Sequence, residues 1–123
     1  MKLFITGGTG FIGSHFIDLA IKEGHEIFAL RRDKFKEKNS NNQINWLDKD
    51  FLEITSNDLK NIDVLFNLAS AGVSPKKASI KELTEINILG SINLMQSAIK
   101  ANVNRTVFIG TCHEYGQSAD KYK

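Results

Sequence analysis

Apolar and polar positions along the chain fall into two alternating rhythms. Short apolar runs recur at Lys2 to Thr6, His25 to Leu30, Ile44 to Leu47, Asp63 to Ala69 and Thr106 to Gly110. Runs of this length without a helical period predict strands, and their near-continuous apolar character predicts a parallel sheet covered on both faces. The 63–69 run is the most apolar and is expected at the centre of the sheet. Helical patterns lie between the runs. Phe11, Ile12, Phe16, Leu19 and Ala20 make one stripe, which Gly24 closes as a C-cap. A second, from about Ser79 to Ala101, is expected to turn Leu83, Ile86, Leu89, Ile92 to Leu94 and Ile99 inward. Residues 33–43 read as a polar surface loop with no second core helix, and Thr55 or Ser56 is placed to cap a short helix through Lys60. A loop from Ser70 to Ala78 holds Gly72 and the single proline, Pro75. Strands alternating with helices predict an α/β fold, a doubly wound parallel sheet with right-handed crossovers and strand order 3-2-1-4-5. The crevice between strands 1 and 4, where the winding reverses, is the expected ligand site.

Bulk properties narrow the function. At 123 residues the chain is one domain, 1–123, and a hydrophobic share of 41% argues against disorder. A net charge of +2 gives no reason to expect nucleic acid or a polyanionic surface. One cysteine excludes an internal disulfide and fits a reducing, cytoplasmic setting. Met1-Lys2 runs straight into a strand, so neither a signal peptide nor a membrane span is expected. His15, His25 and His113 are scattered without metal-ligand spacing.

The chemistry concentrates at the first turn. Gly7-Gly8-Thr9-Gly10-Phe11-Ile12-Gly13 is a G-x-x-G-x-x-G run between a strand and a helix. Gly7 allows a tight reversal, Gly10 lets the backbone approach a pyrophosphate, and Gly13 allows close packing of the helix. The unpaired N–H groups of the helix's first turn and its positive dipole end then face the anion. At the tip of strand two stand Arg31 and Arg32. An acid there would accept from the ribose hydroxyls of NAD, whereas an arginine fork suits the 2′-phosphate of NADP. NADP is therefore the expected cofactor and NAD the second choice, with Asp33 also within reach of a ribose.

The stretch Thr6 to His15, TGGTGFIGSH, resembles the signature of the extended short-chain dehydrogenase/reductase family, the NAD(P)-dependent sugar-nucleotide epimerases and dehydratases. The resemblance covers the whole chain and implies a Rossmann-like fold. It implies cofactor contacts from Gly7, Gly10, Phe11, Ile12 and Gly13, and it sets Arg31 where NAD-dependent members carry the ribose acid. Asp50 falls where the family's aspartate receives the adenine amino group, with Phe51 beside the ring and Asp48 as a competing candidate. Asn67-Leu68-Ala69-Ser70 resembles the "H-x-A-G" segment, so Leu68, Ala69 and Ser70 would run along the ribose and phosphate, Ser70 replacing a glycine. Asn87 aligns with an asparagine that helps to shape the active site; as a polar side chain buried in a helix it needs a partner. Thr111 matches the residue that binds the substrate's reacting oxygen, the one catalytic position the resemblance supplies, and its hydroxyl can donate or accept. Tyr115 does not match the catalytic tyrosine. Cys112 and His113 are neighbours on an extended segment and point to opposite sides, so they cannot readily share a proton.

The family's proton shuttle is a Tyr-x-x-x-Lys pair beyond strand five. Tyr115 has Ala119 four residues on, and Tyr122 is one residue from the end of the sequence, so neither supplies it. The chain thus reads as about the first third to half of a typical member, a sheet truncated after strand five. The expected function is the NAD(P)-binding portion of a nucleotide-sugar epimerase, dehydratase or reductase, binding cofactor without turnover. The competing readings are a non-catalytic NADP(H)-sensing or scaffold module and an atypical reductase that lacks the tyrosine. Apolar surface on the Ser79–Ala101 helix is expected to drive self-association.

Overall fold

A computed structural model describes residues 1–31, 42–73, 77–111, 114 and 116. Five strands form one parallel sheet: β1 (Lys2–Thr6), β2 (Glu26–Arg31), β3 (Ile44–Asp48), β4 (Val64–Asn67) and β5 (Arg105–Phe108). Their order is β3-β2-β1-β4-β5, as expected. The central strand is β1, and Leu3, Phe4, Ile5 and Thr6 are all buried there. This corrects the placement of the 63–69 run, which lies one position off centre. In β4, Leu65 and Asn67 are buried while Val64 and Phe66 are only half covered.

Helix α1 (Phe11–Lys22) packs Ile17 and Ala20 on Leu3, Ile5, Ile27 and Ala29 to form the core on one face. Phe11, Ile12 and Leu19, expected in the buried stripe, are instead more than half exposed. The helix ends where the sequence indicates. Gly24, at φ +77°, donates to the Ile21 carbonyl, and His25 donates to that of Ala20.

The opposite face is covered by one continuous helix in three parts: α2 (Ile80–Glu82), a π-helical stretch (Leu83–Gly90) and α3 (Ser91–Lys100). Ser79 caps it through a reciprocal pair with Glu82, each side chain taking the other's backbone N–H. Leu94 and Ala98 join Phe4, Leu65, Phe51, Ile54 and Leu59 in the second core. Leu89, Ile92 and Ile99 do not turn inward as expected. With Ile88 and Met95 they form an exposed apolar stripe.

Between β3 and β4 the expected short helix is a series of tight turns, with Leu59 bonded to Ser56 and Lys60 to Asn57. A 3₁₀ turn, Phe51–Glu53, precedes them, and Phe51 lies in the core. Asp58 fixes the turns: it accepts from the Thr55 N–H and hydroxyl, at 2.8 Å each, and from Lys49 Nζ. Burial pushes its carboxyl up, but these bonds and the Lys49 charge outweigh that and hold it below the usual range. Beside α1, a cleft of about 640 Å³ includes Phe16, Val64, Phe66 and Val107 in its lining, and no helix among the described residues covers β4 and β5 there. No helix among the described residues is long and apolar enough to cross a membrane.

Candidate functional site

The glycine turn closes as the sequence predicts. Gly7 has φ +70°, and a Cβ there would stand 2.6 Å from the Leu68 carbonyl and 2.7 Å from the Ala69 nitrogen. The backbones that follow β1 and β4 therefore touch at the switch point. Gly13 is buried, and a Cβ on it would overlap the Gly7 carbonyl oxygen. This glycine seats the helix on the turn. Gly10 differs: it is exposed, and its nearest neighbour in that direction is the Gly7 oxygen at 3.2 Å. The space beyond Gly10 is what a diphosphate approaching the backbone requires.

Helix α1 offers an open N-terminus. Gly10 is its N-cap, no side chain caps it, and no acid stands in the first turn. The first-turn N–H groups and the dipole are thus left to an anion. Phe11 and Ile12 flank the opening, 84% and 63% exposed, where apolar side chains can cover the face of a bound group. His15 turns away and bonds the Phe11 carbonyl at 2.8 Å.

At the tip of β2, Arg31 is the last residue of the strand, and its Nε donates to Asp48 Oδ1 at 2.8 Å. Asp48, the competing adenine candidate, is thereby committed to Arg31. Asp50 accepts from the Leu52 N–H and receives Glu53 on its own N–H, so it caps the 3₁₀ turn while staying exposed. Phe51 is 3% exposed, and its ring fills the space left by the missing Cβ of Gly90. Packed in this way, it presents little of its ring to solvent. Arg32 and Asp33 lie outside the described residues.

The other end of the crevice is a cleft of about 680 Å³ beside the tips of β4 and β5, with Asn67, Ser70, Asn87, Ser91, Thr111 and Glu114 among its lining. Asn87 is exposed, not buried, yet it does have a partner. Its amide accepts from the Ala71 N–H at 2.8 Å and donates to the Ala71 carbonyl at 3.1 Å, so the long helix holds the loop after β4 at two points. The π-helical winding around Asn87 is a geometry frequent at functional sites. Thr111 is exposed at the cleft, and its N–H donates to Glu114 at 3.0 Å. Ser70 is exposed and its hydroxyl approaches the Ala71 carbonyl, leaving the Leu68–Ala69 backbone beside Gly7. Cys112, His113 and Tyr115 lie outside the described residues.

Two features escaped the sequence reading. A buried polar chain runs from the Thr6 hydroxyl to Asn67 Oδ1, at 2.6 Å, and from Asn67 Nδ2 to the Ser91 hydroxyl, tying the end of β1 to the long helix behind the cleft. Only the strand pairing of Thr6 with Asn67 signals it. The second is the Arg31–Asp48 pair, which the register of β2 on β3 makes neighbours.

Comparison with known proteins places this geometry. A family model described as the NAD dependent epimerase/dehydratase family matches residues 3–123. The chain is 32% identical to a UDP-N-acetyl-alpha-D-glucosaminuronate decarboxylase of Bacillus cytotoxicus, over 98% of this chain and 40% of that protein. It is 29% identical to UDP-glucuronic acid decarboxylase 1 of Danio rerio, over 94% of this chain and 28% of that protein. The solved structure of MoeE5 in complex with UDP-glucuronic acid and NAD superposes with a TM-score of 0.80 at 27% identity, covering 94% of this chain and 38% of MoeE5. The chain thus spans well under half the length of these relatives.

Proposed function

The chain belongs to the NAD dependent epimerase/dehydratase family, and from that membership we propose that residues 1–123 form the dinucleotide-binding part of an enzyme acting on a nucleotide sugar. The open N-terminus of α1 beside the Gly7–Leu68 contact carries the proposal. It combines unpaired N–H groups, a dipole and an acid-free approach at the reversal of a parallel sheet. The relatives named above are decarboxylases of UDP-linked uronic acids, and a related structure holds NAD with UDP-glucuronic acid.

In this reading the diphosphate lies over Gly10, the adenosine lies towards Arg31 and Arg32, and the nicotinamide lies towards Thr111. Leu68 and Ala69 line the middle with backbone, and Ser70 is small enough to keep that path open. When bound, the cofactor supplies a hydride acceptor for a sugar carbon. Thr111 orients the oxygen on that carbon by donating to a carbonyl or accepting from an alcohol. Asn87 acts through Ala71, fixing the loop that borders the sugar. NADP is preferred to NAD because Arg31 ends β2 and Arg32 comes next in the sequence. These residues bind cofactor without turnover, since no Tyr-x-x-x-Lys pair stands among them. The stripe Ile88, Leu89, Ile92, Met95 and Ile99 joins two copies of the chain. Titration calorimetry with NADP and, separately, NAD tests the site: tighter NADP binding that disappears in Arg31→Ala plus Arg32→Ala supports it, and binding of neither nucleotide removes it.

A further inference from the structure

We infer that Asp48 tunes the choice between NADP and NAD by competing with the nucleotide for Arg31. This rests on the dinucleotide site proposed above. Arg31 ends β2 and Asp48 ends β3, and the parallel register sets them side by side. Both project to the α1 side of the sheet, as Ala29 and Trp46 do two residues earlier. Asp48 takes Arg31 Nε at 2.8 Å and Nη2 at 3.3 Å, a two-point grip on one edge of the guanidinium. The Trp46 ring lies 5.0 Å from the guanidinium carbon. The Arg31 side chain is only 12% exposed and that of Asp48 29%, so the pair is partly withdrawn from solvent.

Three consequences follow from the geometry. The edge that Asp48 occupies is one that a phosphate would grip, because carboxylate and phosphate match the same fork. A 2′-phosphate must therefore share Arg31 or displace Asp48 from it. The formal charges of the pair also cancel, so the tip of β2 attracts a 2′-phosphate less than Arg31 alone would. Finally, removing the arginine takes its fork away from the Asp48 carboxylate at the strand tip, on the side where the ribose is proposed to lie. A carboxylate accepts from two adjacent hydroxyls, which is what NAD offers and NADP does not. The pair holds both specificities in balance, and its two members pull in opposite directions.

The test is calorimetric titration of the full chain, as wild type, Asp48→Asn, Arg31→Ala and the double variant, with NADP and with NAD. Trp46 is the only tryptophan, so its emission reports locally on the pair. Asp48→Asn is expected to raise the NADP-to-NAD affinity ratio about tenfold through tighter NADP binding, and Arg31→Ala to lower it about tenfold with NAD binding retained. In the double variant the two effects should not add, since each acts through the same contact. NADP should change the Trp46 emission of the wild type more than NAD does. Both nucleotides binding, with an unchanged ratio in a folded Asp48→Asn, would overturn the inference and leave the site standing. If Asp48→Asn does not fold, Arg31→Ala decides: a ratio equal to that of the wild type overturns the inference. Binding of neither nucleotide to the wild type would overturn both the inference and the site.

Discussion

The α-carbon of Gly7 faces the carbonyl of Leu68 so closely that a Cβ would lie 2.6 Å from both its carbon and its oxygen. Neither backbone can retreat, because the Leu68 N–H is bonded to the Thr6 carbonyl at 3.2 Å and extends the β1–β4 ladder. Gly7 also sits at φ +70°, where a side chain costs about 1–2 kcal/mol by itself. Gly7→Ala is therefore expected to lower stability by more than about 2 kcal/mol, measured by urea unfolding. A variant as stable as the wild type would mean that the loop after β4 does not lie against the turn.

Asn87 and Ala71 make a second such relationship. Asn87→Ala removes both the acceptor and the donor that hold the Ala71 N–H and carbonyl and is expected to cost about 1–2 kcal/mol. Hydrogen exchange at the Ala71 amide should quicken more than exchange in β1. Asn87→Asp keeps the acceptor and should restore only the Ala71 N–H contact.

Asp58 gives the fold an acid-sensitive joint. Its carboxyl is held below its ordinary value of 3.8, so the unfolded chain takes up the proton first. The contribution is fully present above that ordinary value and is lost as the pH falls through the folded one. Asp58→Asn should therefore cost about 1–2 kcal/mol at neutral pH. Denaturant midpoints of variant and wild type should then converge as the pH falls below the ordinary value of 3.8.

The exposed stripe on the long helix predicts association. Ile92 is 51% exposed between Leu89 and Met95. Sedimentation of the wild type at about 10⁻⁵ M should show species larger than a monomer, and Ile92→Glu should shift them towards monomer. A monomeric wild type at that concentration would contradict the proposed pairing.

Much of this was legible in the sequence, for identifiable reasons. The parallel sheet follows from the alternation of elements, and the glycine turn from spacing. Ser79 and Gly24 mark helix ends because their chemistry is local. The facing of the long helix was not legible. From Leu83 to Gly90 the backbone bonds run to the fifth residue along, so these eight residues make fewer turns than an α-helix would. Even so, a helical count from Ile86 passes through Gly90, Leu94 and Ser97, which are buried, whereas Ile92 and Ile99 fall on the far side; these two were expected inside from their apolar character and not from their spacing, and they stand outside with Leu89. Asp50, Phe51 and Asp48 show a different limit. Motif matching names positions, whereas side-chain commitments depend on neighbours distant in sequence, such as Gly90 for Phe51 and Arg31 for Asp48.

Gly10→Asp tests dinucleotide binding at the α1 N-terminus most directly. Gly10 is the N-cap, with φ −83° and ψ 174°, a conformation that aspartate adopts readily. An aspartate cap satisfies first-turn N–H groups, so stability should stay within about 0.5 kcal/mol of the wild type. The same carboxylate occupies those N–H groups and repels a diphosphate, so calorimetry should show NADP affinity falling more than about tenfold. Unchanged NADP affinity in a folded Gly10→Asp chain would contradict binding of the diphosphate there.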